Sequence, residues 1–441
     1  MSLPKIIGRK IQNYMSQIKN NDLIYGITDK PQHIKEYLYY GAQQCLSIFT
    51  ATVLISTICG TDIAAGLVGA GVSTLVFLLL TGFKCPMFFS NSGSTCSGVI
   101  LALALCGNYT GALIGGLSIT IMNIIASLLI KSFGSEWIDR LLPKVVSGSI
   151  VLIIGLNLSF FSPTYALVNG EYSLIGVFVA FVTMFATAAV MYYGKGRIST
   201  LPFLCGIGVG YGVSIILTLL GVADLVDFNA FRNMSLFILP DFAWRHIDFS
   251  SIDGGTIGTI ILAYCAVNLA NLGEHISDVM ACSTIVHEDL TKTVGLHRTM
   301  FADGIADFVG CVFSGQPTTT YSESLSTIVV SKVASTRVIA TAAVMTSLLG
   351  FFGPLNALII SMPGCIFAGV SLVAYGSIAY SGLKVLQEVD LTTPRNLLIF
   401  ASMGSVGISG IKIQIGGFTL ETIALAMITG MVMNLILKED K

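Results

Sequence analysis

The chain has 441 residues, of which 54% are hydrophobic and only 11% carry a charge, and its formal net charge is −1. A soluble protein of this length needs far more charge to cover its surface, and a balance so close to neutral gives no electrostatic reason to expect a nucleic-acid partner. We therefore expect an all-α polytopic membrane protein surrounded by a lipid bilayer.

Apolar runs of about 20 residues, each long enough to cross a hydrocarbon core of about 30 Å, recur along the chain. Residues 1–36 are polar and basic and lack the short apolar core of a signal peptide, so they are predicted to be a cytoplasmic N-terminal segment. The fourteen predicted spans are 37–59, 62–83, 86–106, 109–130, 144–161, 173–193, 201–221, 255–281, 298–313, 318–332, 337–352, 358–380, 394–410 and 416–437.

The distribution of positive charge supports this count. With the N-terminus inside, 20 of the 23 lysines and arginines fall on the cytoplasmic side, and only Arg232, Arg245 and Lys412 fall outside. A missed span would reverse every later loop, so both termini are predicted to lie on the cytoplasmic side of the cell membrane. The polar segment 222–253 is predicted to be an extracytoplasmic loop between two sets of seven spans.

Weak internal similarity indicates a repeat. Leu142-Pro143 followed by Gly155 in span five resembles Met362-Pro363 followed by Gly376 in span twelve. Seven is an odd number, so two similar halves would be inverted relative to each other. The third span of each half starts with a polar stretch that favours extended backbone, 86–95 and 315–324, and such backbone is tolerated at membrane depth only in a protein interior or a cavity. Interrupted spans at corresponding positions of inverted halves point to the binding site of a transporter.

Two glutamates lie in stretches that otherwise suit lipid. A carboxylate at a helix centre in a bilayer costs at least about 2.5–3.5 kcal/mol, so Glu274 and Glu323 are predicted to serve a polar solute or a proton. Glu323 is expected either to accept hydrogen bonds from a solute or to cap a half-helix, and the two roles are compatible. Asp278 follows Glu274 on the same helical face, so the two should not ionise together easily; the alternative is that both are solvated in a wide cytoplasmic mouth.

Other polar residues give weaker signals. Asp303 and Asp307, closer to the cytoplasmic end of the ninth span, are expected either to extend a proton path or to hydrogen bond to the broken segments. For Asp307, a solvated helix start is an equally open interpretation. His275 points away from the acidic face and is not expected to be a site residue. Glu421 is placed near the outer start of span fourteen. The ten cysteines show no metal-binding spacing, so neither a metal nor a cofactor is expected.

Several segments together resemble the nucleobase–ascorbate transporter family, and within it the bacterial uracil permeases. The resemblance covers most of the chain and is most specific over 270–326. The segments that carry it are Glu274-His-Ile-Ser-Asp278, Asp289-Leu290, Gly295-Leu-His-Arg298, Phe301-Ala-Asp-Gly304, Thr318-Thr-Thr-Tyr-Ser-Glu323, Gly369-Val-Ser-Leu372, Tyr375-Gly376 and Gly407-Ile-Ser-Gly410.

The resemblance implies fourteen helices in two inverted repeats of seven, with short strands starting the third and tenth. Residues 37–131 and 254–352 would form a core domain, and 144–221 and 358–437 a gate domain that also forms a homodimer. The implied activity is proton-coupled import of a nucleobase, without a cofactor.

The same resemblance implies the site residues. Glu274 and Glu323 would hold the base through its N–H groups, and backbone amides near Gly93 and Ser322 would bind its carbonyl oxygens. Tyr321 would line the site, Ser92 beside Gly93 belongs to the same substrate-binding set, and Glu274, Asp278 and Asp303 form the expected proton-coupling set.

Three positions depart from the uracil-permease pattern. Gly93 stands where those permeases have a phenylalanine, Asp278 where they have a histidine, and Gln44 where many members have a histidine. Uracil is the predicted substrate, with xanthine or urate as the alternative within the family. An inorganic-anion transporter of a related fold is a further alternative, which two glutamates facing the solute argue against. No nucleophile–base pair, metal cluster or Walker-type loop suggests an enzyme.

Overall fold

The computed structural model describes residues 23–134, 136–159, 167–168, 171–194, 198, 201–232, 234–250, 252–415 and 418–437. Almost all regular structure in these ranges is α-helical. Seven of the described helices are long and apolar enough to cross a membrane. The expectation of an all-α membrane protein is therefore confirmed at the level of fold class.

In the first half, the helices are α1 (Ile34–Cys59), α2 (Ile63–Leu80), α3 (Cys96–Cys106), α4 (Thr110–Phe133), α5 (Glu136–Leu141), α6 (Lys144–Ser159), α7 (Leu174–Tyr193) and α8 (Pro202–Leu219), and the strands are β1 (Phe89–Asn91), β2 (Leu167–Val168) and β3 (Glu171–Tyr172). In the second half, the helices are α9 (Gly254–Val286), α10 (Leu296–Ser314), α11 (Ser322–Ser331), α12 (Thr336–Gly350), α13 (Gly353–Ile360), α14 (Gly364–Leu386), α15 (Pro394–Ile408) and α16 (Thr422–Ile436), and the strands are β4 (Thr318–Thr320), β5 (Ile413–Ile415) and β6 (Phe418–Leu420).

One predicted span boundary is wrong. The span predicted over 358–380 is interrupted, because α13 ends at Ile360 and α14 begins only at Gly364, after Pro363. Proline disfavours helical backbone at the residue before it, which accounts for the break. The stretch 318–332 contains strand β4 before the short helix α11. The hairpins β2–β3 and β5–β6 were not predicted.

The helices pack as two groups. The first group contains α1–α4 and α9–α12, and the second contains α6–α8 and α14–α16. Each group therefore combines elements from both halves of the chain. One close contact in the second group is between α6 and α14, where a Cβ on Gly155 would lie 2.4 Å from Ala379 N. Only glycine lets the two backbones approach so closely.

The bundle has two chemically different ends. At the first, which we call the basic end, Arg298 Nε donates to Leu80 O over 2.7 Å, and Lys332 terminates α11 in a left-handed conformation. At the other, which we call the loop end, Phe242 of the segment 222–253 contacts Phe313 at the end of α10. Helices α2 and α10 run between these ends in opposite directions.

Candidate functional site

Two strand–helix units meet in the middle of the bundle. Strands β1 and β4 pair antiparallel, with Phe89 opposite Thr320, and Ser92 N–H extends the ladder by donating to Pro317 O over 2.9 Å. Helix α3 then runs to the loop end and α11 to the basic end, so both helices start near the middle. The first-turn N–H groups of a helix lack intrahelical partners, and the helix dipole makes this end electropositive.

A cavity of about 190 Å³ lies where these helix starts meet the second group. The first group lines it with Gly93, Ser94, Asn271, Glu274, Tyr321 and Glu323, among others. The second group contributes Val151, Ile154, Phe203, Ser377, Ile378 and Ser381, among others. The wall is mostly apolar, with a few polar groups on one side, as is typical of sites for small ring compounds.

The structure brings the two predicted glutamates together on this cavity. Glu274 projects from the middle of α9 and Glu323 is the second residue of α11, and both are exposed to the cavity. Among the described residues, neither carboxylate is hydrogen bonded to another side chain. Both groups are therefore available to accept hydrogen bonds from a solute.

Exposed residues continue from the cavity toward the basic end. Beyond Glu274 an exposed stripe continues along α9 through Ser277 and Ala281, and beyond Glu323 a second stripe continues along α11 to Val330. Toward the loop end, residues 266–268 and 270–272 of α9 are buried. The hairpin β5–β6 of the second group closes that side, where Thr419 N–H donates to Thr259 Oγ1 of α9 over 2.8 Å.

Asp278 does not share the cavity with Glu274. Its carboxylate is buried, with only 6% of the residue exposed, and Oδ2 accepts a hydrogen bond of 2.6 Å from Thr320 Oγ1 on β4. The alternative that both carboxylates are solvated is therefore wrong for Asp278, whereas the predicted coupling between Glu274 and Asp278 stays a prediction. Although residues four apart share a helix face, they differ by about 40° around it, and β4 covers the Asp278 side.

The remaining predicted binding residues separate into two sets. Gly93 and Tyr321 line the cavity, and Tyr321 donates from its hydroxyl to Asn91 O over 3.2 Å. Ser92 is 1% exposed and does not line the cavity, because its N–H is used by the strand ladder. Ser322 is the first residue of α11, and its side chain is outside the described part of the structure.

The space beside Gly93 is already occupied. A Cβ on Gly93 would lie 3.3 Å from Ile378 Cδ1 and 3.4 Å from Ile55 Cδ1. The two isoleucines thus fill part of the volume that an aromatic side chain at this position would take. Gln44, another departure, is 2% exposed and holds α1 to α11, since its Nε2 donates to Ser324 O over 3.3 Å.

Asp303 and Asp307 lie away from the cavity, inside the first group. Each is only 3% exposed, so the interpretation of Asp307 as a solvated helix start is wrong. Both are bonded to Asn123 of α4. His275 is also fully buried and lies beside Asp303. Glu421 forms an ion pair of 3.0 Å with Lys412 at the loop end. In the described ranges, no group of three or more His, Cys, Asp or Glu residues could hold a metal ion.

Sequence reasoning missed several cavity residues. Ser94 Oγ donates to Asn271 Oδ1 over 2.5 Å, which joins the start of α3 to α9 at the cavity wall. Phe203, Ser377 and Ser381 reach the cavity from the second group. The signal for Asn271 was its position three residues before Glu274 on one helix. The second-group residues had no such signal, because they come from spans that read as ordinary apolar helices.

Comparison with known proteins places the chain in a family. The family model Xan_ur_permease, described as "Permease family", matches residues 35–416. The uracil permease of Bacillus caldolyticus is 33% identical over 422 residues, covering 95% of each chain. The uracil permease of Escherichia coli K12 is 30% identical over 419 residues, covering 94% of each chain.

Two solved structures are similar in fold alone. The transmembrane domain of the cyanobacterial bicarbonate transporter BicA matches with a TM-score of 0.63 at 14% identity, covering 91% of this chain and 98% of that one. SLC26A9 matches with a TM-score of 0.64 at 12% identity, covering 92% of this chain and 66% of that one.

Proposed function

Because the chain belongs to the permease family of the model Xan_ur_permease, we propose that it is a proton-coupled symporter that imports a nucleobase, with uracil as the preferred substrate. Membership of this family makes it an integral membrane transporter and not an enzyme. Its proposed location is the cell membrane, with the basic end and both termini on the cytoplasmic side, because positive loops concentrate there.

The substrate class is inferred from the cavity beside the start of α11. It holds two carboxylates that, among the described residues, are not hydrogen bonded to another side chain. Uracil is a planar ring with two N–H donors and two carbonyl acceptors. Ionised Glu274 and Glu323 can accept from the N–H groups, and free amides of the first turn of α11 and near Gly93 can donate to the carbonyls. Tyr321 and Phe203 supply aromatic surface for the ring.

Two alternatives fit the cavity less well. An inorganic anion would meet two carboxylates, and no lysine or arginine is among the buried residues of the described part of the chain. A xanthine or urate carrier would need more room for its second ring. Ile55 and Ile378 take up space beside Gly93, so the absence of a side chain at that position does not by itself enlarge the site.

Import requires the site to face each side in turn. We assign the first helical group as the core domain and the second as the gate domain, with fourteen spans in two inverted repeats, because the cavity lies between the groups and each combines both halves. The present arrangement is closed at the hairpin β5–β6 and open at the basic end. A shift of the core against the gate would reverse this. The gate is also the proposed surface for a homodimer.

Proton coupling is assigned to the acidic residues of the core. Glu274 faces the substrate, Asp278 is bonded to β4, and Asp303 lies deeper in the same domain. No buried lysine or arginine is described that could neutralise them permanently. Proton uptake is then the remaining way to remove charge before the domain crosses the hydrophobic barrier.

Reconstituted full-length protein tests this function. We expect uracil to accumulate in liposomes with an alkaline interior, and a protonophore to abolish the accumulation. In a thermal-shift screen, uracil should stabilise the purified protein more than xanthine, urate or bicarbonate, because a ligand that binds the folded state raises its apparent stability. Stabilisation by bicarbonate alone would contradict the substrate class, and accumulation unaffected by the protonophore would contradict proton coupling.

A further inference from the structure

A second polar cluster lies inside the core domain and does not touch the cavity. Asn123 of α4 is its centre: its side-chain nitrogen donates to Asp303 Oδ2 over 3.1 Å and to Asp307 Oδ2 over 3.2 Å. The oxygen of the same amide accepts from Asn268 Nδ2 of α9 over 2.7 Å. His275 Nδ1 lies 3.1 Å from Asp303 Oδ1. Three helices thus bring two amides, two carboxylates and one imidazole together.

Close packing of α4 against α10 holds this cluster in place. A Cβ on Gly304 would lie 2.7 Å from Asn123 Cβ, so glycine is needed for α4 to approach α10 closely enough. Thr120 Oγ1 donates to Gly304 O over 2.9 Å and fixes the same contact. Because α4 and α10 are held together at this level, the Asn123 amide has little freedom to turn away from the two carboxylates.

The cluster has more hydrogen-bond acceptors than donors. Asn123 uses both of its amide hydrogens, whereas Asn268 Oδ1, Asp303 Oδ1 and Asp307 Oδ1 are buried without a hydrogen-bond partner in the described structure. His275 is close to Asp303, but neither ring nitrogen has the direction of a hydrogen bond. An orphan acceptor in a low-dielectric interior is costly, and a proton on one carboxylate would supply the missing donor.

Among the described residues, no lysine or arginine contacts the two carboxylates to balance their negative charge. The other titratable residues on the elements packed around the pair are Tyr264, Cys265, Glu274, Asp278 and Cys282 on α9, His297, Arg298 and Cys311 on α10, and Tyr321 and Glu323 at the start of α11. The only lysine or arginine among them is Arg298, which lies at the basic end and donates to Leu80 O. Helix α2 carries no titratable residue, and Lys131 of α4 is at its exposed end. Since no described group has the composition of a metal site, a proton is the occupant that fits.

We propose that the Asp303–Asp307 pair, held by Asn123, stores the transported proton at a site separate from the nucleobase. The inference rests on the proposed function and deepens it. The proton binds one carboxylate oxygen of the pair when the core faces outward, and it leaves the same pair for water when the core faces the cytoplasm. No bond of the base is made or broken.

A continuous set of contacts joins this site to the substrate cavity. Ser73 Oγ and Thr318 Oγ1 both donate to Ala306 O, the carbonyl directly before Asp307, over 2.9 and 3.1 Å. Thr318 begins β4, and Thr320 at its other end donates to Asp278 and lines the cavity. A change in charge at Asp307 is thereby transmitted along one short strand to the start of α11.

Asp307→Asn in the full-length protein tests the site, with Asp390→Asn in the exposed turn before α15 as the matched control. Three quantities are measured: uracil stabilisation, uracil counterflow at equal pH, and accumulation under an alkaline-inside gradient. We expect Asp307→Asn to keep uracil stabilisation and counterflow within about threefold and to lose accumulation, down to the level without a gradient. The control should match the native protein in all three.

Two outcomes would overturn the proposal: native accumulation by Asp307→Asn, or parallel loss of stabilisation and counterflow, which would indicate a structural role. If Asp307→Asn does not fold, Asn123→Ala replaces it. Removing the two N–H donors should shift the pH dependence of accumulation toward higher pH, and an unchanged profile would contradict the site. Loss of native accumulation when sodium is replaced by choline would reject a proton as the occupant. A native protein that does not respond to uracil would instead refute the proposed function.

Discussion

Thr320 and Asp278 are joined by a hydrogen bond of 2.6 Å between a strand and a helix of the first helical group. Thr320 also lines the substrate cavity, whereas Asp278 is buried behind it. The hydroxyl of Thr320 therefore links the buried carboxylate to the cavity wall.

Thr320→Val should destabilise the protein, because it removes the hydroxyl that donates to a buried carboxylate oxygen of Asp278. The expected cost is about 1–3 kcal/mol. Thermal unfolding in detergent, followed by a tryptophan or thiol probe, would measure it. Thr320→Ser keeps the hydroxyl and is the matched control, which should stay close to native. Equal stability of the valine and serine variants would show that the hydrogen bond contributes nothing.

Glu274→Gln and Glu323→Gln should each weaken uracil binding by about 10- to 150-fold, which corresponds to loss of a charged hydrogen bond of about 1.5–3 kcal/mol. Glutamine loses the charge and can present its own donor to the ring N–H. Titration of thermal stability with uracil gives the affinity. Glu288→Gln, exposed beyond the end of α9, is the control. Near-native affinity in both cavity variants would refute the site.

Ile378→Ala should relax the preference for a single-ring base. Removing the side chain opens the space next to Gly93, where Ile378 Cδ1 would be 3.3 Å from an added Cβ. We expect competition by xanthine against labelled uracil to improve at least threefold, while uracil uptake falls modestly. Gly93→Ala is the complementary variant, and it should leave the preference for uracil intact. Unchanged xanthine competition in Ile378→Ala would show that the second ring of xanthine does not occupy the space next to Gly93.

Gly155→Ala should destabilise the second helical group, because its new Cβ would lie 2.4 Å from Ala379 N and 2.8 Å from Tyr375 O. Overpacking of this kind costs about 1–3 kcal/mol and would appear as reduced thermal stability. Gly376→Ala is the matched helix control. Nothing lies within 4 Å of a Cβ at that position, so this change should be neutral or stabilising by up to about 1 kcal/mol. Similar losses in both variants would contradict the packing.

Composition and the periodicity of apolar runs were sufficient for the helical membrane class, and the cost of buried charge was sufficient to select Glu274 and Glu323. What local sequence could not supply is the partner of a buried group. From the sequence, Asp307 could be interpreted as a solvated helix start. In the structure it accepts a hydrogen bond from Asn123, which is on a helix far away in the chain. From the sequence, Asp278 has only Glu274 as a neighbour on its helix face. In the structure its carboxylate also accepts a hydrogen bond from Thr320 of β4.

Side-chain volume explains another difference between sequence and structure. The glycine at position 93 suggests an empty wall, but Ile55 and Ile378 approach it from α1 and α14. These residues belong to apolar spans whose orientation is set by packing between domains. A repeat in sequence also does not imply a repeat of environment, since Gly155 is crowded and Gly376 is not.

The pairing of β1 with β4 has a consequence for biosynthesis. Thr74 provides a partner for Phe89 N–H over 2.9 Å, but the remaining ladder bonds of β1 come from Thr318–Thr320 in the other half of the chain. A ribosome that has delivered only the first half of the chain has therefore produced a strand whose backbone is incompletely paired, which is costly away from water. The solute cavity then assembles only after β4 has entered the membrane, so a chain truncated before residue 318 should be recognised by cellular quality control as unfinished.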